Sequence, residues 1–430
     1  MSSPMLLTIE KLIYGGDGLS RLPADEKGKG KAVFVPFVLE GEQVEASPVE
    51  EKPGFVRAHL ERVVAPSPLR SDPPCPYYQR CGGCHYQHTS YEHQLEIKQA
   101  VLRENLSRFA KVDWPGEITV HASPPLHYRN RTRLQVRTKP EFMLAYYRHD
   151  SRELLPVEQC PISSELINTA IAEIWKLGRA SGVPGAIREI EFFANDTDSQ
   201  FQAELYLADD ASSEIASFCE ALSNALPQLA GVSTFRKQHG ERDSQLLGIA
   251  GESELVYTAG SIAYRVSAGS FFQTNRFLTG KMVELVVAGR SGKVALDLYA
   301  GVGLFAVPLA KAFERMIAVE ASPSSIADLK HNAPRNVRVV RETIDRFLAG
   351  PTAPTDLVVV DPPRAGLGEK VTRALVKLAA PRITYVSCDP STLARDLKPL
   401  LAGGYRIEQI HLLDLFPQTF HIETLVQLVR

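Results

Sequence analysis

The chain has 430 residues, 44% hydrophobic and 23% charged, with a formal net charge of -2. That is ordinary for a globular protein of two or three domains. It excludes nucleic-acid binding through overall basicity, so any basic surface is local. No run reaches the ~18 apolar residues of a membrane span, and the start carries no basic stretch followed by a long apolar one. A cytoplasmic protein with no membrane partner is expected, and a monomer. Residues 1–64 alternate apolar and polar around Gly/Asp turns, in "LLTIEKLIYGGDGLSRL", "KAVFVPFVLEGEQVEASPV" and "GFVRAHLERVV". The pattern predicts a small all-β barrel. "ADEKGKGK" (24–31) reads as its hairpin loop, and the Pro-rich "APSPLRSDPPCP" (65–76) as a linker.

A cysteine cluster follows, then a helical stretch, "YEHQLEIKQAVLRENLSRFA" (91–110). Short strands such as "RTRLQVRT", "AIREIEFFAN" and "FQAELYLA" mix with helices up to about 258, which predicts a central α+β domain over 65–258. Whether the 91–110 helix packs instead on the C-terminal domain is left open by the pattern. Over 259–430, apolar strands "KVALDLYA", "RMIAVEA", "VRVVRET", "DLVVVDPP" and "ITYVSCDP" alternate with helical segments. That order implies a mostly parallel, doubly wound α/β sheet.

"ALDLYAGVGLFAVPLA" is a strand, a glycine turn and a helix. Gly301 and Gly303 let the backbone turn tightly and approach a ligand at the helix start. Glu320 closes the next strand, where an acidic residue can accept from both ribose hydroxyls of an adenosine-type cofactor. The alternative is a generic turn and a solvated glutamate. Cys388, in "TYVSCDPSTLARDL", stands at the mouth of a strand, just before an Asp-Pro that starts a helix. Alone it could be a reactive thiol or a small buried residue.

"DLYAGVG" followed by a strand ending in Glu resembles a class I S-adenosylmethionine methyltransferase. "GSFFQTN" (269–275), "DPPRAGL" (361–367), "SCDPSTLARDL" and "FPQTFHIETLVQL", in this order, resemble the RNA uracil-C5 methyltransferase family over essentially the whole chain. The resemblance implies a Rossmann-like catalytic domain and covalent chemistry. Uracil C5 is a poor nucleophile; a thiolate adding to C6 makes it reactive, and the C5 proton must then leave. By resemblance Cys388 is the nucleophile, Glu423 the base, and Asp361 lies near cofactor and target base. Gln273, Tyr299 and Glu320 match cofactor-contacting positions, and Thr343 falls where the family has a polar contact. Leu304 stands where some members have Asn, so that contact is not carried over.

Cys75, Cys81 and Cys84 are spaced C-x5-C-x2-C, and Cys160 follows 76 positions later. Four thiolates suit a zinc ribbon or a [4Fe–4S] cluster, and spacing alone leaves both open. The family resemblance favours iron–sulfur in a structural role; Cys219 reads as core. Arg129, Arg131, Arg133, Arg137 and Lys139 alternate in "YRNRTRLQVRTK", so on a strand they share a face able to meet RNA phosphates. The N-terminal barrel resembles a TRAM domain, an oligonucleotide-binding type of module. Barrel and cysteines together favour a 23S ribosomal RNA target, with tRNA the nearest alternative. An amino-group nucleic-acid methyltransferase would want an aromatic where Arg364 stands, and a non-catalytic iron–sulfur RNA-binding protein would need neither Cys388 nor Glu423.

Overall fold

The computed structural model describes residues 4–23, 30–208, 213–236, 245–351 and 353–430. Most of the expected 24–31 loop lies outside them. The N-terminal six-stranded sheet runs, edge to edge, Met5–Thr8, Gln43–Glu51, Phe55–Ala65, Ala32–Pro36, Asp17–Arg21, Lys11–Leu12. Alternation decides its inner face, since successive side chains of a strand point to opposite sides. Val33 and Val35 are fully buried, and so are Val44 and Ala46.

The central sheet has seven strands, ordered Leu154–Pro156, Met143–Tyr147, Arg131–Arg137, Ile187–Ala194, Phe201–Leu207, Leu229–Arg236, Gln245–Gly251. Its one parallel pair, Phe201–Leu207 with Leu229–Arg236, is joined through the helix Ser213–Ala225. A hairpin, Glu254–Ala259 with Ile262–Ser267, leads into the C-terminal unit.

There the sheet is mixed and eight-stranded. Val337–Arg341, Phe313–Glu320, Gly292–Leu298, Leu357–Val360 and Arg382–Ser387 lie parallel in that spatial order. Glu423–Val429 and Arg406–Leu413 add an antiparallel hairpin. The last strand is Ile118–His121, parallel to Arg406–Leu413. The segment 91–121, grouped with the middle of the chain when read from sequence, therefore belongs with this sheet.

The helix Tyr91–Asn105 begins where Ser90 Oγ accepts from the His93 amide at 3.3 Å, an N-cap. It buries Gln94, Ile97, Lys98, Val101, Leu102 and Asn105, one face at helical spacing. Its apolar members join one continuous core that reaches Leu7 and Val33 of the N-terminal sheet and Leu296, Val358 and Leu397 of the C-terminal unit. The N-terminal sheet is thus packed against the C-terminal unit, and the helix shares the same core. Among the described residues, no helix is long and apolar enough to cross a membrane.

Candidate active site

Cys388 follows the strand Arg382–Ser387, and Asp389 caps the next helix, Pro390–Ala402. The Asp389 carboxylate accepts from the amides of Ser391 and Thr392, both at 2.9 Å, with Pro390 in the first turn. The "SCDP" stretch is therefore a strand end, a thiol and a helix cap in direct succession. Asp361 follows the neighbouring strand, Leu357–Val360. Glu423 opens the strand on the other side, and its neighbour Thr424 is paired with Ser387. Because that strand is antiparallel, its first residue lies at the carboxyl edge of the parallel strands. One sheet edge thus presents Asp361, Cys388 and Glu423 side by side.

Their electrostatics are those of crowded acids in a low-dielectric site. Burial, then the charges of Glu423 and Asp361, push the Cys388 thiol up to about 12, against the opposing pull of Arg364. Burial, then Asp361, raises the Glu423 carboxyl well above the usual range. Burial brings Asp361 to about 7. Two side chains not assigned roles from sequence complete the rim. Arg364 donates to His421 Nε2 at 3.4 Å, and burial, then Arg364, pushes that imidazole down to about 3, so it is neutral. His421 sits inside the quoted "FPQTFHIETLVQL", so the signal was there.

The glycine turn lies at the same edge. Tyr299, Gly301 and Gly303 all have positive φ (67°, 54° and 98°). A Cβ on Gly303 would stand 2.8 Å from Leu329 Cδ1, so only glycine fits there. Glu320 accepts from the Gly301 amide at 2.9 Å and from those of Ala321 and Ser322 at 2.7 and 2.8 Å. Tyr299, Glu320 and Thr343 line one cavity of about 480 Å³, between Ile344 and the helix Gly368–Leu378. Gln273 is buried outside that lining. Asp297, which opens the "DLYAGVG" stretch, is fully buried. Burial, then Asp361, raises it well above the carboxylate range. A buried carboxyl on the strand that leads into the glycine turn suits a cationic ligand.

Cys75, Cys81, Cys84 and Cys160 line a second cavity, of about 620 Å³, together with Arg129 and Tyr146. Burial raises the Cys81 thiol to about 11, with smaller contributions from Cys160 and Cys75. Among the described residues, no three His, Cys, Asp or Glu side chains stand where they could hold a metal ion. Arg129 Nε is buried there without a partner, a donor suited to an anionic group. Cys219 is in the central core, as expected.

The arginine ridge needs correction. Arg131 and Arg133 do share a face, but Glu191 on the facing strand pairs with both. Arg131 also meets Glu204, and Arg133 meets Glu189, each at 3.4 Å. Arg129 turns into the cysteine cavity. Arg137 and Lys139 remain exposed, Lys139 past the strand's end. The ridge is largely neutralised from within.

The model of the tRNA (uracil-5-)-methyltransferase family matches residues 90–350 and 352–430. An "Uncharacterized RNA methyltransferase" of Aquifex aeolicus is 36% identical, over 99% of this chain and 98% of that protein. The 23S rRNA (uracil(1939)-C(5))-methyltransferase RlmD of Pseudomonas putida is 30% identical, over 97% and 92%. The crystal structure of Pyrococcus abyssi tRNA (uracil-54, C5)-methyltransferase with S-adenosyl-L-homocysteine superposes with a TM-score of 0.77 at 25% identity, covering 99% of this chain and 100% of that one. The sheet edge that carries a thiol between two acids, beside a methyl-donor-type glycine turn, is thus found in a chain that belongs to the tRNA (uracil-5-)-methyltransferase family, the S-adenosylmethionine-dependent RNA uracil-C5 methyltransferases.

Proposed function

We propose that the protein makes 5-methyluridine in 23S ribosomal RNA by covalent catalysis, with Cys388 as nucleophile and Glu423 as base. The observation that carries this reading is the shared sheet edge of Asp361, Cys388 and Glu423. S-adenosylmethionine supplies the methyl group when bound. Glu320, Tyr299, Thr343 and the Gly301–Gly303 turn hold its nucleoside end, and buried Asp297 favours its positive charge. By resemblance Gln273 and Asp361 would also contact this ligand.

The thiol of Cys388 gives its proton to water and its sulfur adds to uracil C6; the electron pair of the C5–C6 double bond moves into the ring and toward O4. C5 then takes the methyl group, and the bond broken is that to the donor's sulfonium sulfur, which is left as the neutral thioether. Glu423, as carboxylate, removes the C5 proton; the C5–C6 double bond re-forms and Cys388 leaves as thiolate. Burial brings Asp361 to about 7, which suits a group that holds and passes a proton near neutral pH, and raises Glu423 in the same direction. The target base must leave its stack to reach the edge.

The N-terminal sheet fits a TRAM-like module. The four cysteines, which line one cavity with the unpartnered donor of Arg129, are read by resemblance as the ligands of a [4Fe–4S] cluster. Both features, with the 30% identity to an rRNA enzyme, support the rRNA target. The fold likeness to a tRNA enzyme supports tRNA as the second reading.

The test offers anaerobically purified protein unmodified 23S rRNA and unmodified tRNA, with mass spectrometric mapping of the product. 5-Methyluridine in rRNA is expected. Label in tRNA alone moves the substrate and keeps the residues' roles. Cys388→Ala should abolish transfer and retain cofactor binding, whereas Glu423→Gln should accumulate a protein–RNA adduct. Normal turnover by either variant removes that residue from its role.

A further inference from the structure

Tyr14 belongs to the N-terminal sheet, in the turn between Lys11–Leu12 and Asp17–Arg21. Its hydroxyl reaches the carbonyl oxygen of Cys388, 374 residues away in sequence, at 3.5 Å. Its ring meets the ring of Phe420 edge-on, with centroids 5.4 Å apart and planes at 87°. Phe420 packs on His421 at 4.2 Å. One side chain therefore touches both arms of the site: the turn that carries the thiol and the loop that leads to Glu423.

The placement is built in. Gly15 and Gly16 follow with φ of +112° and +93°, and a Cβ on Gly16 would come within 3.1 Å of His85. The turn is wedged against the cysteine loop, and a side chain there would push it out. Lys11 is tied to Glu104 of the central helix at 2.6 Å. The N-terminal sheet shares its core with the catalytic unit, so Tyr14 is not carried on a loose tether. Burial, then Asp389, raises the phenol above its ordinary range, so it stays a donor. The Cys388 turn is also held on its Ser387 and Asp389 sides: Ser387 Oγ accepts from the Asp389 amide at 3.3 Å, and Asp389 caps the helix.

We infer that Tyr14 is a positioning residue for Cys388. The N-terminal domain fixes the nucleophile's turn through this phenol and closes the site against Phe420. Sulfur must meet C6 along a narrow approach, and displacement by an ångström is costly in rate. The inference rests on the reading of Cys388 as nucleophile, and predicts that the N-terminal domain contributes to the chemical step as well as to RNA binding.

The test uses full-length, anaerobically purified Tyr14→Phe and Tyr14→Ala. The probe is a 5-fluorouridine-substituted transcript, of 23S rRNA or tRNA, whichever gives an adduct with the wild type. Readouts are the single-turnover rate of adduct formation, the affinity for the unsubstituted transcript, S-adenosylhomocysteine affinity and the melting temperature. Loss of the hydroxyl should slow adduct formation about two- to tenfold, the factor carried by one neutral hydrogen bond. Loss of the ring should slow it by a further factor of about the same size. Both affinities should stay within about twofold, since the rate loss comes from geometry and not from binding. Wild-type adduct rates in both variants overturn the inference and leave the Cys388 reading intact. So does a fall in RNA affinity that matches the fall in rate, which would make Tyr14 an RNA contact. If Tyr14→Ala melts lower, Tyr14→Phe decides, because it keeps the packing. No adduct with wild-type enzyme would remove Cys388 as nucleophile, and this inference with it.

Discussion

Cys388 should be an unreactive thiol until its ligands arrive, and the structure sets how unreactive. With its acidity pushed to about 12, roughly one molecule in 10⁴ carries a thiolate at pH 8, against about a quarter for an ordinary thiol near 8.5. That is a loss of about 2,000-fold in the reactive form. A more basic thiolate is also a better nucleophile, and a Brønsted slope of about 0.45 returns roughly 40-fold. The net expectation is a reaction about 50-fold slower than that of an exposed cysteine, before any steric hindrance. The assay is modification by dithiodipyridine, quenched over time and resolved by peptide mass spectrometry so that Cys388 is followed apart from the other thiols. Its rate should climb about tenfold per pH unit from pH 7 to 10 without levelling. Glu423 is the leading charge behind the shift after burial, so Glu423→Gln should speed the reaction at a pH where the Glu423 carboxyl is ionised and leave it unchanged where that carboxyl is protonated. A plateau below pH 9, or parity with an exposed thiol at pH 8, would refute the reasoning. The consequence for catalysis is a thiol that awaits positive charge: a cationic methyl donor beside these acids would lower its acidity constant.

Three further outcomes follow from the same structure. Lys98 and Asp414 are a buried pair, 2.6 Å apart and at most 1% exposed; Lys98→Met should cost about 3–5 kcal/mol by stranding the carboxylate, and a Lys98→Met/Asp414→Leu double variant should melt closer to wild type. Asp361 has its folded-state acidity raised to about 7, so the folded state keeps a proton that the unfolded chain releases near 4, and wild-type stability falls as pH rises between those values. Asp361→Asn should therefore gain in melting temperature relative to wild type from pH 5 to pH 8, and a difference independent of pH would contradict the assignment. Anaerobic protein should carry about four iron and four sulfide per chain, lost in Cys84→Ser; stoichiometric zinc with no sulfide would replace the cluster reading.

Local chemistry was legible in the sequence, and long-range pairing was not. The turn at Gly301–Gly303 and the Asp-Pro cap after Cys388 are each set by neighbours within a few residues, so the quoted motifs carry their own geometry. The ridge failed for a different reason. Arg131 and Arg133 do alternate on a strand, but so do Glu189 and Glu191 in "AIREIEFFAN", and the register that sets Glu191 opposite Arg133 is a property of the sheet. Two matched alternations of opposite charge were the available signal. The pattern left the packing of the 91–110 helix open because three members of its buried face, Gln94, Lys98 and Asn105, are polar. Gln94 and Lys98 look like solvent positions until their partners, Gln418 and Asp414, arrive from more than 300 residues away. Tyr14 had no local mark at all.

The same partners explain why so much of the chain is committed to one loop. Residues 414–421 lead into Glu423, and each neighbouring element holds them. Lys98 donates to Asp414 and to the Phe416 carbonyl, at 2.6 and 2.9 Å. Gln94 gives and takes a hydrogen bond with Gln418, whose φ of +69° is unusual for a residue with a side chain. The amides of His85 and Tyr86, directly after Cys84, donate to the Gln418 carbonyl at 2.8 and 3.0 Å. Tyr128 holds the Pro417 carbonyl, and Asn275, from the "FFQTN" stretch, holds those of Asp414 and Leu415. A base that must reach a C5 proton needs its carboxylate placed to a fraction of an ångström. A lone loop before a strand does not offer that, because loops are the elements that open most readily. Here the helix, the cysteine loop and the cofactor-side motif each fix a different carbonyl of the loop. The segments outside the sheet thus hold the approach to Glu423 directly: disordering the cysteine loop releases the Gln418 carbonyl, five residues from Glu423, and leaves Gln94 as a remaining anchor of Gln418.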